Sequence, residues 1–350
     1  MSRDVAAPRS KFRVVVWSAV VLTAIWISFS IYSSCTANSK ALPTIAGPET
    51  KDLINRATGC VVEDHPVAGI DAVRLRDLKK VAVRQPHDEA DAVYSVAGPD
   101  AEGWVAFVTD NMEAKTHALK AINLDGTGEE EVFTAPGDAI WDNPMSTPVL
   151  AARGGNVAFL TQPVRSFAPS IVSGPIEVWN IHTKTEHDTN IEALNRGLSW
   201  FPDGKRFTYV QVQPGEPEMV YILNVENGER KLLHKGRNAM VSTDGESVLV
   251  NTAEEGNLVV DVKTGDSRRV QWPGNWRGPI AFIGNDLLLY WGLPTTGTIQ
   301  GSTENNSPLV GPKPLGTLKL ADLSSGEFQT VLPYVDPRRE VSFGVTGACP

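Results

Sequence analysis

The chain has 350 residues, of which 41% are hydrophobic, 7% aromatic and 21% charged, and its net charge is −9. This length suits one large domain or two ordinary ones, so the internal pattern has to decide between them. Removing residues 1–35, with four cations and one acid, from the chain's 32 basic and 41 acidic residues leaves 28 against 40, a net charge of −12. So acidic a surface repels phosphate backbones and anionic lipid headgroups, which excludes nucleic acid as an expected partner.

The first predicted element is an uncharged stretch, Val14–Tyr32. Its length is about what a helix needs to cross the hydrocarbon core of a bilayer. Residues 1–13 form a basic tail with four cations, and the next cation after the stretch is Lys40. By the positive-inside rule, this asymmetry leaves residues 1–13 in the cytoplasm and exports everything beyond the hydrophobic helix, which we set at residues 14–34.

Three fates of this segment remain open. It stays as an uncleaved transmembrane anchor, it is a lipoprotein-type signal with Cys35 as the lipidated residue, or it is a signal peptide cleaved near Cys35-Thr36-Ala37. In the first two cases the rest of the chain is tethered to the membrane. Residues 35–59, which contain prolines and small residues without a strand pattern, are predicted to be a flexible spacer.

A short pattern then recurs five times: an Asn or Asp at the end of an apolar run, an apolar residue, a polar turn and a second β-rich run. Asn or Asp suits the start of such a turn because its side chain can hydrogen-bond the backbone two residues on, and Gly suits its end because it accepts positive φ. The five copies begin at Asn123, Asn180, Asn224, Asp261 and Asp322.

Each of these hairpins is preceded by another, so the repeating unit is four short strands. The clearest first hairpin runs from Leu198 to Val210 and turns at Pro202-Asp203-Gly204. Four-stranded units of roughly 40 to 60 residues are typical of a β-propeller. The five units begin near Tyr94, Thr147, Leu198, Ala239 and Pro279.

The string Leu198-Ser-Trp-Phe-Pro-Asp-Gly-Lys-Arg-Phe207 resembles the W-S-P-D-G-K motif of TolB-type propellers, which is also found in the propeller of prolyl oligopeptidases. Phe201 stands where the motif has Ser, and the other units keep the turn and lose the Trp. The resemblance covers residues 90–345 at the level of the fold. It implies a periplasmic six-bladed propeller that binds partner proteins, although the TolB-type N-terminal α/β domain has no counterpart in this sequence.

The leftover strands at the two ends of residues 60–350 complete a sixth unit. Glu340–Gly344 supplies a first strand, and Cys60–Glu63, Ala72–Leu75 and Lys80–Val83 supply the other three. The sequence thus predicts an all-β, six-bladed β-propeller with ring closure from both termini. Cys60 and Cys349 would then be neighbours, and an exported chain lies where disulfides persist, so we predict a bond between them.

No catalytic residue, metal site or cofactor is predicted. The chain has no Gly-x-Ser-x-Gly motif; the nearest string, which starts at Gly197, lacks the final Gly and lies in a strand. Glu63-Asp64-His65 and Glu186-His187-Asp188 cluster possible metal ligands. Adjacent strand residues face opposite sides, however, so these are better interpreted as solvated strand or turn residues.

One set of candidate binding residues stands out at the connections between units. Arginines precede the first strand of four consecutive units, and tryptophans lie in the same connections. The arginines could form a carboxylate- or phosphate-binding rim at one mouth of the central channel, or they could make ion pairs between blades. The candidates are Arg196, Arg237, Arg277, Arg339, Trp141, Trp272 and Trp276.

The leading functional hypothesis is a membrane-tethered, extracytoplasmic binding module of the bacterial envelope. Its expected partner is another envelope or secreted protein, or a small anionic ligand. The alternatives are a channel-mouth enzyme, such as a lyase or hydrolase of an anionic substrate, and an accessory sensor subunit for a small anion. Ionisable groups clustered in the channel would favour an enzyme.

Overall fold

The computed structural model describes residues 52–65, 69–85, 92–111, 113–136, 147–161, 164–165, 172–194, 196–213, 215–270, 276–283, 286–292, 316–335, 341–344 and 349. The predicted hydrophobic helix, residues 14–34, and Cys35 lie outside these residues. No helix among the described residues is long and apolar enough to cross a membrane.

The described strands form six antiparallel sheets, which we call blades 1 to 6. Blade 1 contains β1 (Cys60–His65), β2 (Gly69–Arg74), β3 (Lys80–Arg84) and, from the other end of the chain, β25 (Val341–Gly344). Blade 2 contains β4 (Ala92–Ala97), β5 (Trp104–Asn111), β6 (Thr116–Asn123) and β7 (Glu130–Pro136). Blade 3 contains β8 (Val149–Leu150), β9 (Asn156–Leu160), β10 (Val164–Arg165), β11 (Val172–Asn180) and β12 (Thr185–Leu194).

Blades 4 to 6 follow in chain order. Blade 4 contains β13 (Ser199–Trp200), β14 (Arg206–Gln211), β15 (Met219–Asn224) and β16 (Arg230–Lys235). Blade 5 contains β17 (Asn238–Val241), β18 (Ser247–Thr252), β19 (Gly256–Asp261) and β20 (Ser267–Val270). Blade 6 contains β21 (Trp276–Ile283), β22 (Leu287–Gly292), β23 (Gly316–Asp322) and β24 (Phe328–Val335). The prediction of an all-β, six-bladed propeller is confirmed.

Blade 1 draws its strands from both ends of the described chain. Strand β25 pairs antiparallel with β1, from Cys60 opposite Gly344 to Glu63 opposite Val341. Contacts between blades also link β25 to β4 of blade 2 and to β21 of blade 6.

The apolar core lies between the blades. Six clusters of buried residues each join two neighbouring blades. Each blade is covered on both faces by its neighbours, so both of its faces are apolar. The cluster between blades 4 and 5, for example, includes Val210 from blade 4 and Val248 from blade 5. The cluster between blades 6 and 1 joins Leu320 to Val61.

The TolB-like motif in blade 4 folds as a tight hairpin with contacts to both neighbours. The Trp200 indole packs on Phe207, with ring centroids 4.9 Å apart, and donates a hydrogen bond of 2.8 Å to the Val149 carbonyl of blade 3. Phe201, which replaces the motif's Ser, is fully buried between blades 4 and 5. Its aromatic ring therefore adds to the core at the place where the motif departs from the family pattern.

Part of the predicted spacer is packed against the propeller. Residues Leu53–Arg56 form a short 3-10 helix, and Leu53 and Ala57 are buried against blade 6. The backbone N–H of Ile54 donates a 2.7 Å hydrogen bond to the Gln329 side chain. Apolar burial and this hydrogen bond fix the segment, whereas the composition of residues 35–59 indicates only a flexible connection.

Candidate functional site

The antiparallel order of the strands gives the ring two different ends. In blade 4, Arg206 lies opposite Asn224 at one end, and Gln211 lies opposite Met219 at the other. With β25 counted as the first strand of blade 1 and the short β10 of blade 3 left out, the turns between first and second strands and between third and fourth strands share the first end, which we call the turn end. The connections after the second and fourth strands share the opposite end, which we call the loop end.

The turn end is made of short turns whose polar side chains are used by the turns themselves. The Asp203 carboxylate accepts hydrogen bonds from the backbone N–H groups of Lys205 and Arg206. Burial alone would raise the pKa of Asp203, but these hydrogen bonds, together with one from the Arg206 side chain, outweigh it and lower the pKa. The prediction that the turn-opening side chain bonds the backbone two residues on is confirmed at Asn180, Asn224, Asp261 and Asp322.

The loop end carries the long connections. In blade 3, the connection between β9 and β11 runs from Leu160 to Val172 and includes the short β10. In blade 6, the connection between β22 and β23 runs from Gly292 to Gly316. Irregular connections held on a rigid scaffold are where binding residues usually lie.

Two of the predicted arginines lie together at the loop end and share one carboxylate. The Arg196 guanidinium donates a hydrogen bond to Glu218, and the Nε atom of Arg237 lies 3.8 Å from the second Glu218 oxygen. Arg196 precedes blade 4, Arg237 precedes blade 5, and Glu218 directly precedes the third strand of blade 4. This is an ion-pair group between blades, the second of the two interpretations that the sequence leaves open for these two residues.

The other predicted binding residues cannot be assigned contacts. Trp276 and Arg277 lie at the start of β21, where the backbone alone is described. Trp141, Trp272 and Arg339 lie outside the described residues. Their membership of the site therefore stays a prediction.

Cys60 and Cys349 are joined by a disulfide, with their Cα atoms 5.8 Å apart. Cys60 is fully buried at the first position of β1. The bond lies at the turn end of blade 1, where the other blades have a continuous turn between the first and second strands. It therefore links the first residue of β1 to a residue 289 positions later in the chain.

A cavity of about 250 Å³ lies on the axis of the ring, where the first strands meet. All six blades contribute to its lining through residues such as Gly344, Val96, Val149, Trp200, Met240 and Ile280. None of the described residues that line it is Asp, Glu, His, Lys or Arg. Apolar residues and hydroxyl-bearing residues such as Ser199 and Ser242 make up this described lining.

The two clusters of possible metal ligands do not assemble into a site within the described part of the chain, where no group of three His, Cys, Asp or Glu side chains converges. The Glu63 carboxylate instead accepts a 2.7 Å hydrogen bond from Lys80, and Asp71 lies 2.7 Å from the same ammonium group. These contacts join the outer three strands of blade 1.

Glu218 is the main site residue that sequence reasoning missed. It stands in Gly215-Glu-Pro-Glu218, a stretch that indicates a polar turn and nothing about ion pairing. Its partners lie 22 residues before and 19 residues after it, so the pairing depends on how neighbouring blades meet. In the sequence, the repeat spacing of the arginines indicates the cations of this group, but it gives no sign of the carboxylate that pairs with them.

No protein-family model matches the chain, and no curated protein is significantly similar to it in sequence. Among solved structures it is similar to TolB from Acinetobacter baumannii, with a TM-score of 0.56 and 16% identity over 82% of this chain and 67% of that chain. A puromycin-hydrolyzing peptidase of Mycobacterium tuberculosis gives a TM-score of 0.51 and 13% identity over 80% of this chain and 44% of that chain.

An oligogalacturonate lyase in complex with manganese gives a TM-score of 0.50 and 15% identity, over 67% of this chain and 70% of that chain. Identities this low show a shared fold and leave activity open, because one fold hosts many functions. At the level of the fold, the resemblance to TolB-type propellers that residues 198–207 indicate is confirmed.

Proposed function

We propose that the protein is a membrane-tethered, extracytoplasmic propeller that binds another envelope or secreted protein through the loop end of the ring. The observation that carries this proposal is the axial cavity, whose described lining comes from all six blades and includes no ionisable side chain. A channel-mouth enzyme that uses general acid–base chemistry would need ionisable groups there.

The contrast between the two ends supports the choice of the loop end. At the turn end, side chains such as Asp203 and Asp261 are committed to their own turns. The loop end carries the long connections and the predicted arginines, and Arg and Trp are enriched at interface hot spots. The proposed contact residues are Arg196, Arg237, Trp276, Arg277 and Arg339.

The proposed location rests on the sequence and on the disulfide. The hydrophobic stretch, residues 14–34, and the basic tail before it favour export of the propeller. A disulfide between Cys60 and Cys349 fits an oxidising compartment. We further infer that this bond and the pairing of β25 with β1 close the ring in the folded protein.

Partner capture with two matched double variants tests the proposed binding end. Tagged full-length protein, extracted from membranes of its native host, is compared with Arg237→Glu/Arg277→Glu at the loop end and Lys205→Glu/Lys263→Glu at the turn end. Each pair reverses two charges, so nonspecific electrostatic effects are equal. We expect the partner that wild type captures to be lost from the first variant and kept by the second. The reverse pattern would assign binding to the turn end.

Fractionation tests the proposed tether. We expect the full-length protein in the membrane fraction, and we expect deletion of residues 1–35 to release a folded, soluble protein. Incorporation of labelled palmitate that depends on Cys35 would identify a lipoprotein. Full-length protein recovered in the soluble periplasmic fraction would contradict tethering and indicate a cleaved signal.

A further inference from the structure

The group formed by Arg196, Arg237 and Glu218, which we call the arginine clamp, has more cationic than anionic charge. Two guanidinium groups face one carboxylate, so the clamp keeps one positive charge in excess on a chain whose net charge is −9. The next ion pair at this end, Lys235 with Glu254 at 2.7 Å, is balanced. A local positive excess on an acidic chain attracts an anion.

The arginine clamp also contains N–H donors that the Glu218 carboxylate does not use. The Arg196 Nε atom is buried and has no hydrogen-bond partner among the described residues. The 3.8 Å separation between Arg237 and Glu218 exceeds hydrogen-bond length, so this contact leaves the Arg237 guanidinium donors open to another acceptor. Leaving a buried donor without an acceptor is unfavourable, so an acceptor that reached it would stabilise the complex.

The Glu218 carboxylate lies where the carboxylate of a ligand would bind the two arginines. Its backbone is fixed, because its carbonyl accepts a 2.9 Å hydrogen bond from the N–H of Gly236 in the connection to blade 5. Its side chain reaches both guanidinium groups and is about three-quarters buried. A planar carboxylate therefore already fits the clamp, and the planar forks of Arg match carboxylates in two-point geometry.

We propose that the arginine clamp is a carboxylate-binding site that Glu218 partly occupies in the free protein. The ligand is a carboxylate, supplied by an acidic side chain or C-terminus of a partner protein or by a small organic acid. This site adds a ligand class to the function proposed above. The assignment of the carboxylate to a partner protein rests on that proposed function. Because Glu218 competes for the same donors, removing its charge should tighten ligand binding.

The test is isothermal titration calorimetry of the full-length protein with succinate at constant ionic strength. We expect Glu218→Gln to lower the dissociation constant of succinate about tenfold, equivalent to about 1.4 kcal/mol. Arg237→Ala should abolish succinate binding in the wild-type background and in the Glu218→Gln background. Arg237 is 45% exposed, so this variant should fold even if Glu218→Gln does not.

Glu254→Gln is the matched control, because it removes one acid from an ion pair at the same end of the same two blades. It should leave succinate binding unchanged. Equal succinate affinity of wild type and Arg237→Ala, or equal tightening by Glu254→Gln and Glu218→Gln, would overturn the site. Phosphate binding as tight as succinate at the same ionic strength would overturn the preference for a carboxylate.

A second readout separates this site from the proposed function. If Arg237→Ala loses succinate and also loses the captured partner protein, the carboxylate comes from the partner. If it loses succinate and keeps the partner, the clamp stands as a site for a small organic acid, and the proposed partner interface is wrong. If it loses the partner and succinate never binds, the interface stands and the clamp proposal fails.

Discussion

The turn end and the loop end of the ring use the same residue types in opposite ways. At the turn end, Asp203 accepts two backbone hydrogen bonds within its own hairpin. At the loop end, Glu218 bridges two arginines from different connections. Substitutions at the turn end should therefore change stability, whereas substitutions at the loop end should change binding and leave stability nearly intact.

The disulfide gives the largest expected effect at the turn end. Replacing Cys60 and Cys349 with Ser should lower the free energy of unfolding by about 3–5 kcal/mol, because the bond closes a loop almost as long as the domain. Denaturant unfolding of wild type and the double variant measures this difference. A loss below about 1 kcal/mol would mean that strand pairing and apolar packing stabilise blade 1 sufficiently without the disulfide.

Gly204 gives the next largest effect, because two independent demands meet at this residue. Its φ is +69°, and a Cβ atom would lie 2.1 Å from the Arg153 carbonyl oxygen of blade 3. Gly204→Ala should destabilise the protein by about 3 kcal/mol, of which the left-handed backbone accounts for about 1–2 kcal/mol. Gly228 is the matched control, since its φ is +72° and its Cβ position is open.

Gly228→Ala should thus cost only about 1–2 kcal/mol in the same unfolding measurement. Equal losses for the two glycines would show that the close approach between blades 3 and 4 does not restrict the turn.

Asp322 predicts a smaller, pH-dependent effect where the 3-10 helix meets blade 6. Burial would raise the pKa of Asp322, but hydrogen bonds from Ser324 and Arg56 outweigh it and hold the pKa at about 2, below its ordinary value of 3.8. The ionised group therefore stabilises the fold above about pH 4, and this contribution is lost as the pH falls from about 4 through about 2. Asp322→Asn should lower Tm by a few degrees at neutral pH and have little effect near pH 2.

Asp77 is the control for this pH dependence. The hydrogen bond from Arg74 lowers its pKa to about 2 as well, but this pair is exposed to solvent. Asp77→Asn should leave Tm unchanged across the same range, because exposed ion pairs contribute little. A loss of Tm equal to that of Asp322→Asn would show that exposure to solvent does not reduce the contribution of the Asp77 carboxylate.

The smallest effect on stability is expected from the arginine clamp. Arg237→Ala should change the free energy of unfolding by less than about 1 kcal/mol, because Arg237 is 45% exposed and has only a 3.8 Å contact. A loss comparable to that of Gly204→Ala would make the clamp a structural group and remove the contrast between the two ends.

Much of the fold follows from local sequence signals, and the site largely does not. The side chains of Asn224 and Asp261 accept hydrogen bonds from backbone groups two residues on, so the hairpins can be predicted. The pairing of Cys60 with Cys349 could be anticipated because leftover strands at both ends complete a blade. The bond from Arg196 to Glu218 and the packing of Leu53 on blade 6 depend on how blades meet, which no short sequence window records.

Hydrogen exchange of the full-length protein, with and without its captured partner, tests the central claim most directly. The account predicts that the partner slows exchange at the loop end, in peptides containing residues 196–198, 215–218 and 236–238. It also predicts unchanged exchange in the turn-end peptides containing residues 201–205, 225–229 and 262–266. Protection confined to the turn-end peptides would contradict the assignment of the loop end as the binding surface.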